Sequence, residues 1–348
     1  VPKNKKHLLV IRLSAMGDVA MTVPVLKALQ QRYPDLVLTV LTRKFFAPMF
    51  FQLSNLKVFE ADVKGRHKGV LGLWKLYKEL KSQNLDGVAD LHNVLRSNIL
   101  KKYFTLTTIP FKQINKGRSE KKALTSGGKG AFVPLKSTHA RYANVFAKLG
   151  YPFELEGDFS LAREKYPEAA TKIIGVEAKP WIGIAPFAAF EGKMYPKELM
   201  EQVIQQLSST NRYKILLFGG GQHEKEILAQ WQLRFDDVFS MVGILSFQEE
   251  LALISNLDIM LSMDSGNGHL AAMYGVPVVT LWGVTHPYAG FAPFGQNEEN
   301  SILSDREKYP LIPTSVYGNK MPDGYDKAME SISPSKVVNK VEQILSKE

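Results

Sequence analysis

The stretch "SMDSGNGHLAAMYGVPVVTLWGVTHP", Ser262 to Pro287, holds the densest set of residues in this chain that could do chemistry. A strand ends at Asp264, Ser265 and Gly266 turn the chain, and a helix begins that carries His269. Backbone N–H groups at a helix N-terminus, approached closely across glycines, cradle phosphate without side-chain charge. His269 could then donate to a phosphate oxygen. An ordinary strand–turn–helix, with Asp264 capping and His269 satisfied in the core, fits the same residues. "FGGGQHEKE" again sets glycines, Gly219 to Gly221, after a strand, but it is neither a dinucleotide fingerprint nor a Walker loop. Glu224 in it could accept hydrogen bonds from a ribose diol, or complement the dipole of the helix it opens. Lys193, in "FAAFEGKMYP", lies in the loop after a third strand, where a lysine can neutralise a diphosphate leaving group. Three such loops on one sheet edge favour a nucleotide site.

A fourth stretch, "LSAMGDVAMTVP", Leu13 to Pro24, separates the apolar run His7 to Leu13 from a helical period. It carries more small residues than a capped turn needs and one ionisable side chain, Asp18. Thr22 reads as the N-cap of the helix that follows, with Pro24 in its first turn and Val25, Leu26 and Leu29 facing the core.

The elements that must hold these loops follow from periodicity. "HLLVIRL", "LVLTVLT", "KVFEAD" and "LDGVADLH" read as strands, alternating with "TVPVLKALQQRYP", "VLGLWKLYKELKSQ" and "NVLRSNILKKYF" as helices. Strand, helix and strand at this spacing make βαβ units and a parallel sheet covered by helices. Residues 109–135 are basic, rich in Gly and Ser, and show neither period, so they read as a long surface loop. A Pro/Glu-rich passage, 151–180, holds the linker near Ala178, after which a second α/β series runs to "VPVVTLWG". Two sheets joined by one linker form a cleft, with ligands beyond the carboxyl ends of the strands.

Composition narrows the class of protein. With 348 residues, 45% apolar and 22% charged, the chain has the balance of a globular two-domain protein. Without cysteine there is no disulfide, thiolate nucleophile or Cys-based metal site. No run reaches the roughly 18 apolar residues that span a bilayer, and the basic N-terminus is no complete signal peptide, so a cytoplasmic location is expected. A formal charge of +10 favours an anionic partner. The sequence has no nucleic-acid-binding signature, and its basic residues fall mainly in loops, which argues against nucleic acid. "RKFFAPMFFQL", Arg43 to Leu53, could touch a membrane surface, although Phe45, Phe46, Phe50 and Phe51 read more simply as core.

In order and spacing, "LSAMGDVAMTVPVLKAL", "LDGVADLHNVLRSNIL", "HARYANVFAKLG", "GKMYPKELMEQVIQQL", "ILLFGGGQHE", "VGILSFQEELALI" and the Ser262 to Pro287 stretch together resemble the ADP-heptose:lipopolysaccharide heptosyltransferase family, glycosyltransferase family 9. The resemblance implies an α/β fold of the GT-B type, two Rossmann-like domains facing each other across a cleft. It gives 1–177 to acceptor binding, 178–325 to the nucleotide-sugar donor, and 326–348 to a helix that commonly returns to the first domain. It implies an inverting transfer that needs no metal and no cofactor, with ADP-heptose or a related nucleotide sugar as co-substrate. The acceptor would be a lipopolysaccharide inner core, and peripheral contact with the inner face of the cytoplasmic membrane is compatible with it. Another nucleotide-sugar donor on the same fold is the alternative.

Under that resemblance Asp18 corresponds to the general base and Lys193 to the phosphate-binding lysine. Met16 and Gly17 bring the loop backbone to the donor, while Asp264, Ser265, Gly266 and His269 match the donor-binding turn. Glu224 then contacts the ribose, Leu245 lies beside the base, and Arg118, Lys121 and Lys122 are acceptor contacts. Ala188 and Ala189 depart from the family, whose members often carry hydroxyls there, as does "GVTH" where "GPTD" is more usual.

Overall fold

Strand β1 (His7–Ile11) is buried at every residue because it runs through the middle of a parallel sheet covered on both faces, where an unbroken Leu, Val and Ile run is stable. The computed structural model describes residues 5–127, 130, 132–175 and 179–346. It divides into an N-terminal unit, Val1–Lys116 with Thr138–Phe159, and a C-terminal unit, Gly117–Ser137 with Ser160–Glu348. The division therefore falls at Phe159, ahead of the linker expected near Ala178; that residue, and with it the 177/178 boundary, lies outside the described residues.

In the N-terminal unit β1 is followed by α1 (Met16–Ala20), α2 (Thr22–Arg32), β2 (Val37–Thr42), β3 (Leu56–Glu60), α3 (Gly69–Lys81), β4 (Gly87–Asp90), α4 (Leu95–Phe104) and β5 (Phe111–Gln113). The next helix, α5 (Arg118–Leu124), belongs to the C-terminal unit, and α6 (Thr138–Ala147) to the N-terminal one. The sheet order is β3-β2-β1-β4-β5, all parallel, with α3 packed beside α4 and α2 beside α6. The chain leaves β1 towards β2 and β4 towards β5, so the order reverses between β1 and β4.

The C-terminal unit runs α7 (Glu168–Ile174), β6 (Trp181–Ala185), α8 (Lys197–Ser208), β7 (Lys214–Leu217), α9 (Gln222–Arg234), β8 (Val238–Ser240), α10 (Phe247–Ile254), β9 (Ile259–Met263), α11 (Gly266–Ala272), β10 (Val278–Trp282), β11 (Ser301–Leu303) and α12 (Pro334–Leu345). Its sheet, β11-β10-β9-β6-β7-β8, is also parallel and reverses between β6 and β9.

Several expectations change. The Leu13 to Pro24 stretch is mostly helix: α1 occupies it, and Thr22 is no N-cap, because its Oγ1 donates to the Val19 carbonyl at 2.6 Å inside the continuing turn. Residues 109–135 contain β5 and α5, both too short to display a period; Gly117, at φ +62°, makes the left-handed turn that starts α5. The terminal helix is part of the C-terminal unit. It buries Val337, Val338 and Val341 against α8 and β9 in the C-terminal unit, at about 1.5–3 kcal/mol per side chain. Phe46 and Phe50 are core as expected, whereas Phe45 and Phe51 are 55% and 60% exposed.

Candidate active site

In the C-terminal sheet the strand order reverses between β6 and β9, and the carboxyl ends at such a reversal are the usual ligand position in an open parallel sheet. Lys193 arrives there from the loop after β6 and Asp264 from the end of β9. The Lys193 Nζ lies 2.7 Å from Asp264 Oδ2 and donates to the Asp264 backbone carbonyl at 3.2 Å. Thr285, after β10, donates its Oγ1 to the same carboxylate oxygen at 2.9 Å. Both charged side chains are largely buried, 14% and 8% exposed, so the geometry is held by charge that water screens weakly. Of the three Nζ–H donors two are engaged, which leaves one for an anionic oxygen. Gly318 fixes the lysine stem, since at φ +77° a Cβ there would lie 2.6 Å from Lys193 Cγ.

Asp264 is thus no helix cap. That position falls to Ser265, whose extended backbone opens α11 and whose Oγ is buried without a protein partner. A buried hydroxyl left unpaired carries a free-energy cost that a ligand oxygen would relieve. Gly266 is the first residue of α11, and His269 is buried within it. Glu224 Oε2 accepts from the Gly220 N–H at 2.6 Å, across the glycine turn ahead of α9. Leu245 is half-buried in the loop between β8 and α10, on the same sheet edge.

The N-terminal sheet has a matching place between β1 and β4, where Asp18 sits on α1 with its side chain 29% exposed. Arg12, just past β1, grips it with Nη2 2.6 Å from Asp18 Oδ2, and the Ala15 N–H reaches the same oxygen at 3.4 Å. Both contacts use Oδ2, and among the described residues none donates to Oδ1. The arginine is itself fixed: Nη1 donates to the Leu91 carbonyl at 2.7 Å, and the guanidinium stands 5.8 Å from the centre of the Tyr142 ring. Tyr142 donates its hydroxyl to the Asp18 backbone carbonyl at 3.3 Å, and burial pushes that hydroxyl up, keeping it protonated. Met16 and Gly17 form the first turn of α1 beside Asp18.

The three expected acceptor contacts do not behave alike. Arg118 and Lys122 are exposed on α5, but Lys121 is buried with its Nζ 4.0 Å from the centre of the Phe291 ring. That cation–π pair ties α5 to the Phe291 ring. Sequence reasoning missed Arg12, Tyr142, Thr285 and Gly318. Arg12 had a signal, a single charge in an otherwise apolar strand run; the others acquire their roles only through tertiary contact.

His92, at the end of β4, accepts the Leu13 N–H on Nδ1 at 3.4 Å. Burial, with the Arg12 and Lys116 charges adding to it, pushes its imidazole down to about 3. The unfolded chain, near the ordinary value of about 6.5, binds a proton that the folded chain refuses, so stability is lost as pH falls from about 6.5 towards 3. The slope is up to about 1.4 kcal/mol per pH unit for this group. Urea denaturation of the wild type and His92→Gln between those limits should show the variant's slope flatter by one proton; equal slopes would remove His92 from the account.

The model described as glycosyltransferase family 9 (heptosyltransferase) matches residues 73–315. A lipopolysaccharide core heptosyltransferase of Haemophilus influenzae is 27% identical over 313 residues, covering 87% of this chain and 85% of that protein. Among solved structures, a family 9 glycosyltransferase of Veillonella parvula superposes with a TM-score of 0.73 at 20% identity, covering 99% and 98% of the two chains. The Escherichia coli heptosyltransferase WaaC with ADP does so with 0.70 at 18% identity, covering 97% and 99%. The two parallel sheets and these neighbours give the fold class, α/β of the GT-B type.

Proposed function

The chain belongs to glycosyltransferase family 9 and is a glycosyltransferase, and from that premise we propose that it transfers heptose, or a related sugar, from an ADP-sugar to a lipopolysaccharide inner-core acceptor with inversion at the anomeric carbon and without a metal. The observation that carries the reading is the pairing of charge types with fold positions. A lysine with a spare donor beside an orphan hydroxyl occupies one switch point, and a carboxylate with a free oxygen occupies the other.

In the proposed step Asp18 Oδ1 takes the proton of the acceptor hydroxyl as its oxygen attacks the anomeric carbon. The bond from that carbon to the diphosphate breaks on the opposite side. The electron pair leaves with the nucleotide, whose added charge Lys193 and the Ser265 hydroxyl stabilise. No cofactor takes part, because the bond that breaks is already activated by its phosphate leaving group. Lipopolysaccharide core heptosyltransferases among the relatives support the acceptor class, and the ADP-bound neighbour supports the nucleotide. In the N-terminal unit Lys and Arg outnumber Asp and Glu by more than two to one, which suits a polyanionic acceptor. Location at the inner face of the membrane is part of the same proposal.

Calorimetric titration with ADP, UDP, GDP and CMP tests the donor. Preference for ADP is expected, and clear preference for UDP would replace the ADP-heptose assignment with another nucleotide sugar.

A further inference from the structure

Helix α3 buries Leu73, Leu76, Tyr77 and Leu80 in the core of the N-terminal unit, so its packing is complete without its outer face. That outer face is nevertheless apolar. Val70, Leu71 and Trp74 are 60%, 85% and 37% exposed, and Leu106, just past α4, is 67% exposed. The patch is continuous across the two helices, because the Trp74 ring meets Tyr103 of α4 edge-on at 5.0 Å and the Tyr103 hydroxyl donates to the Val70 carbonyl at 3.2 Å.

The charges around it have one sign. Lys68, Lys75, Lys78 and Lys102 are exposed, and among the described residues none of them has an ion-pair partner. Between residues 64 and 81 the one acidic residue is Glu79, which is occupied by Arg66 and His67, and between 91 and 116 there is none. A solvated helix face would mix signs and spend few large apolar groups. A face for a protein partner would be depleted of lysine as well as of acid. Tryptophan and leucine ringed by lysines, with the one acid of α3, Glu79, already paired, match the boundary of an anionic bilayer, where rings enter the headgroup layer and lysine stems snorkel.

We infer that the α3–α4 face of the N-terminal unit docks on an anionic phospholipid surface. The seat is separate from Arg43 to Leu53, where two of the four phenylalanines are core. It stands whether or not the donor and acceptor proposed above are right, because the test uses neither. Each lysine near such a surface contributes about a fivefold gain in partition, so the binding weakens with salt.

Co-flotation of the full chain with phosphatidylcholine vesicles, with and without phosphatidylglycerol, provides the test. Binding is expected to the phosphatidylglycerol vesicles and to fall with added salt. Leu71→Asp and Lys75→Glu, both at exposed positions, should each lower the bound fraction, the former about tenfold or more, while circular dichroism and nucleotide affinity stay unchanged. Failure of the wild type to float with anionic vesicles overturns the inference, as does flotation that both variants leave intact. A concentration-dependent dimer dissolved by Leu71→Asp also overturns it, by assigning the face to a second copy.

Discussion

Replacing Asp18 with asparagine is expected to lower turnover about 10²–10⁴-fold with nucleotide affinity unchanged. The substitution keeps shape and keeps an acceptor oxygen for Arg12, whose Nη2 lies 2.6 Å from Asp18 Oδ2 in the wild type. What it removes is the ability of the outer atom to take a proton. A loss of turnover with an intact fold would therefore measure the base itself. Arg12→Ala separates base from scaffold: the carboxylate remains, but its aim, set by the guanidinium between Leu91 and Tyr142, is lost. Turnover should fall in that variant too, by less than in Asp18→Asn, and Arg12→Lys should recover part of it. Steady-state rates at saturating donor, with calorimetric nucleotide titration alongside, check both. Undiminished turnover in Asp18→Asn would take the base role from this residue.

The parts of this arrangement that were legible in the sequence are those written locally. The Leu9 and Val10 run announces a buried strand, and the strand–helix alternation announces parallel sheets, because both are short-range consequences of burial. Lys193 and Asp264 stand 71 residues apart, yet both could be placed on one sheet edge from the order of strands alone. Their 2.7 Å contact could not, since it depends on which two strands are neighbours, and the order β9-β6 is a tertiary fact. Thr22 was misread for a related reason. A hydroxyl before an apolar period looks like a cap, but the small residues ahead of it let the backbone coil earlier into α1. Lys121 shows the limit for charge: a lysine in a basic segment reads as surface until Phe291, 170 residues later, supplies a ring for it.

Lys193 carries the other large effect, and its removal needs care because the residue does two things. Lys193→Met should weaken nucleotide affinity about 10–100-fold, the worth of a charge-assisted contact to a diphosphate oxygen. It also strands the Asp264 carboxylate, 8% exposed, with Thr285 as its remaining side-chain partner, and an uncompensated buried charge costs about 3–5 kcal/mol. The single variant is thus expected to be destabilised as well as weak in binding, and the two losses would be confused. Lys193→Met combined with Asp264→Asn removes both charges together. The asparagine oxygen can still accept from Thr285, so thermal stability should return most of the way to wild type. Nucleotide affinity should not return, because the third Nζ–H donor that faces no protein acceptor is still missing. Tight nucleotide binding by the stable double variant would make the lysine a purely structural partner of Asp264 and move the diphosphate elsewhere on the sheet edge. Recovery of stability without recovery of affinity would assign the ammonium to the ligand.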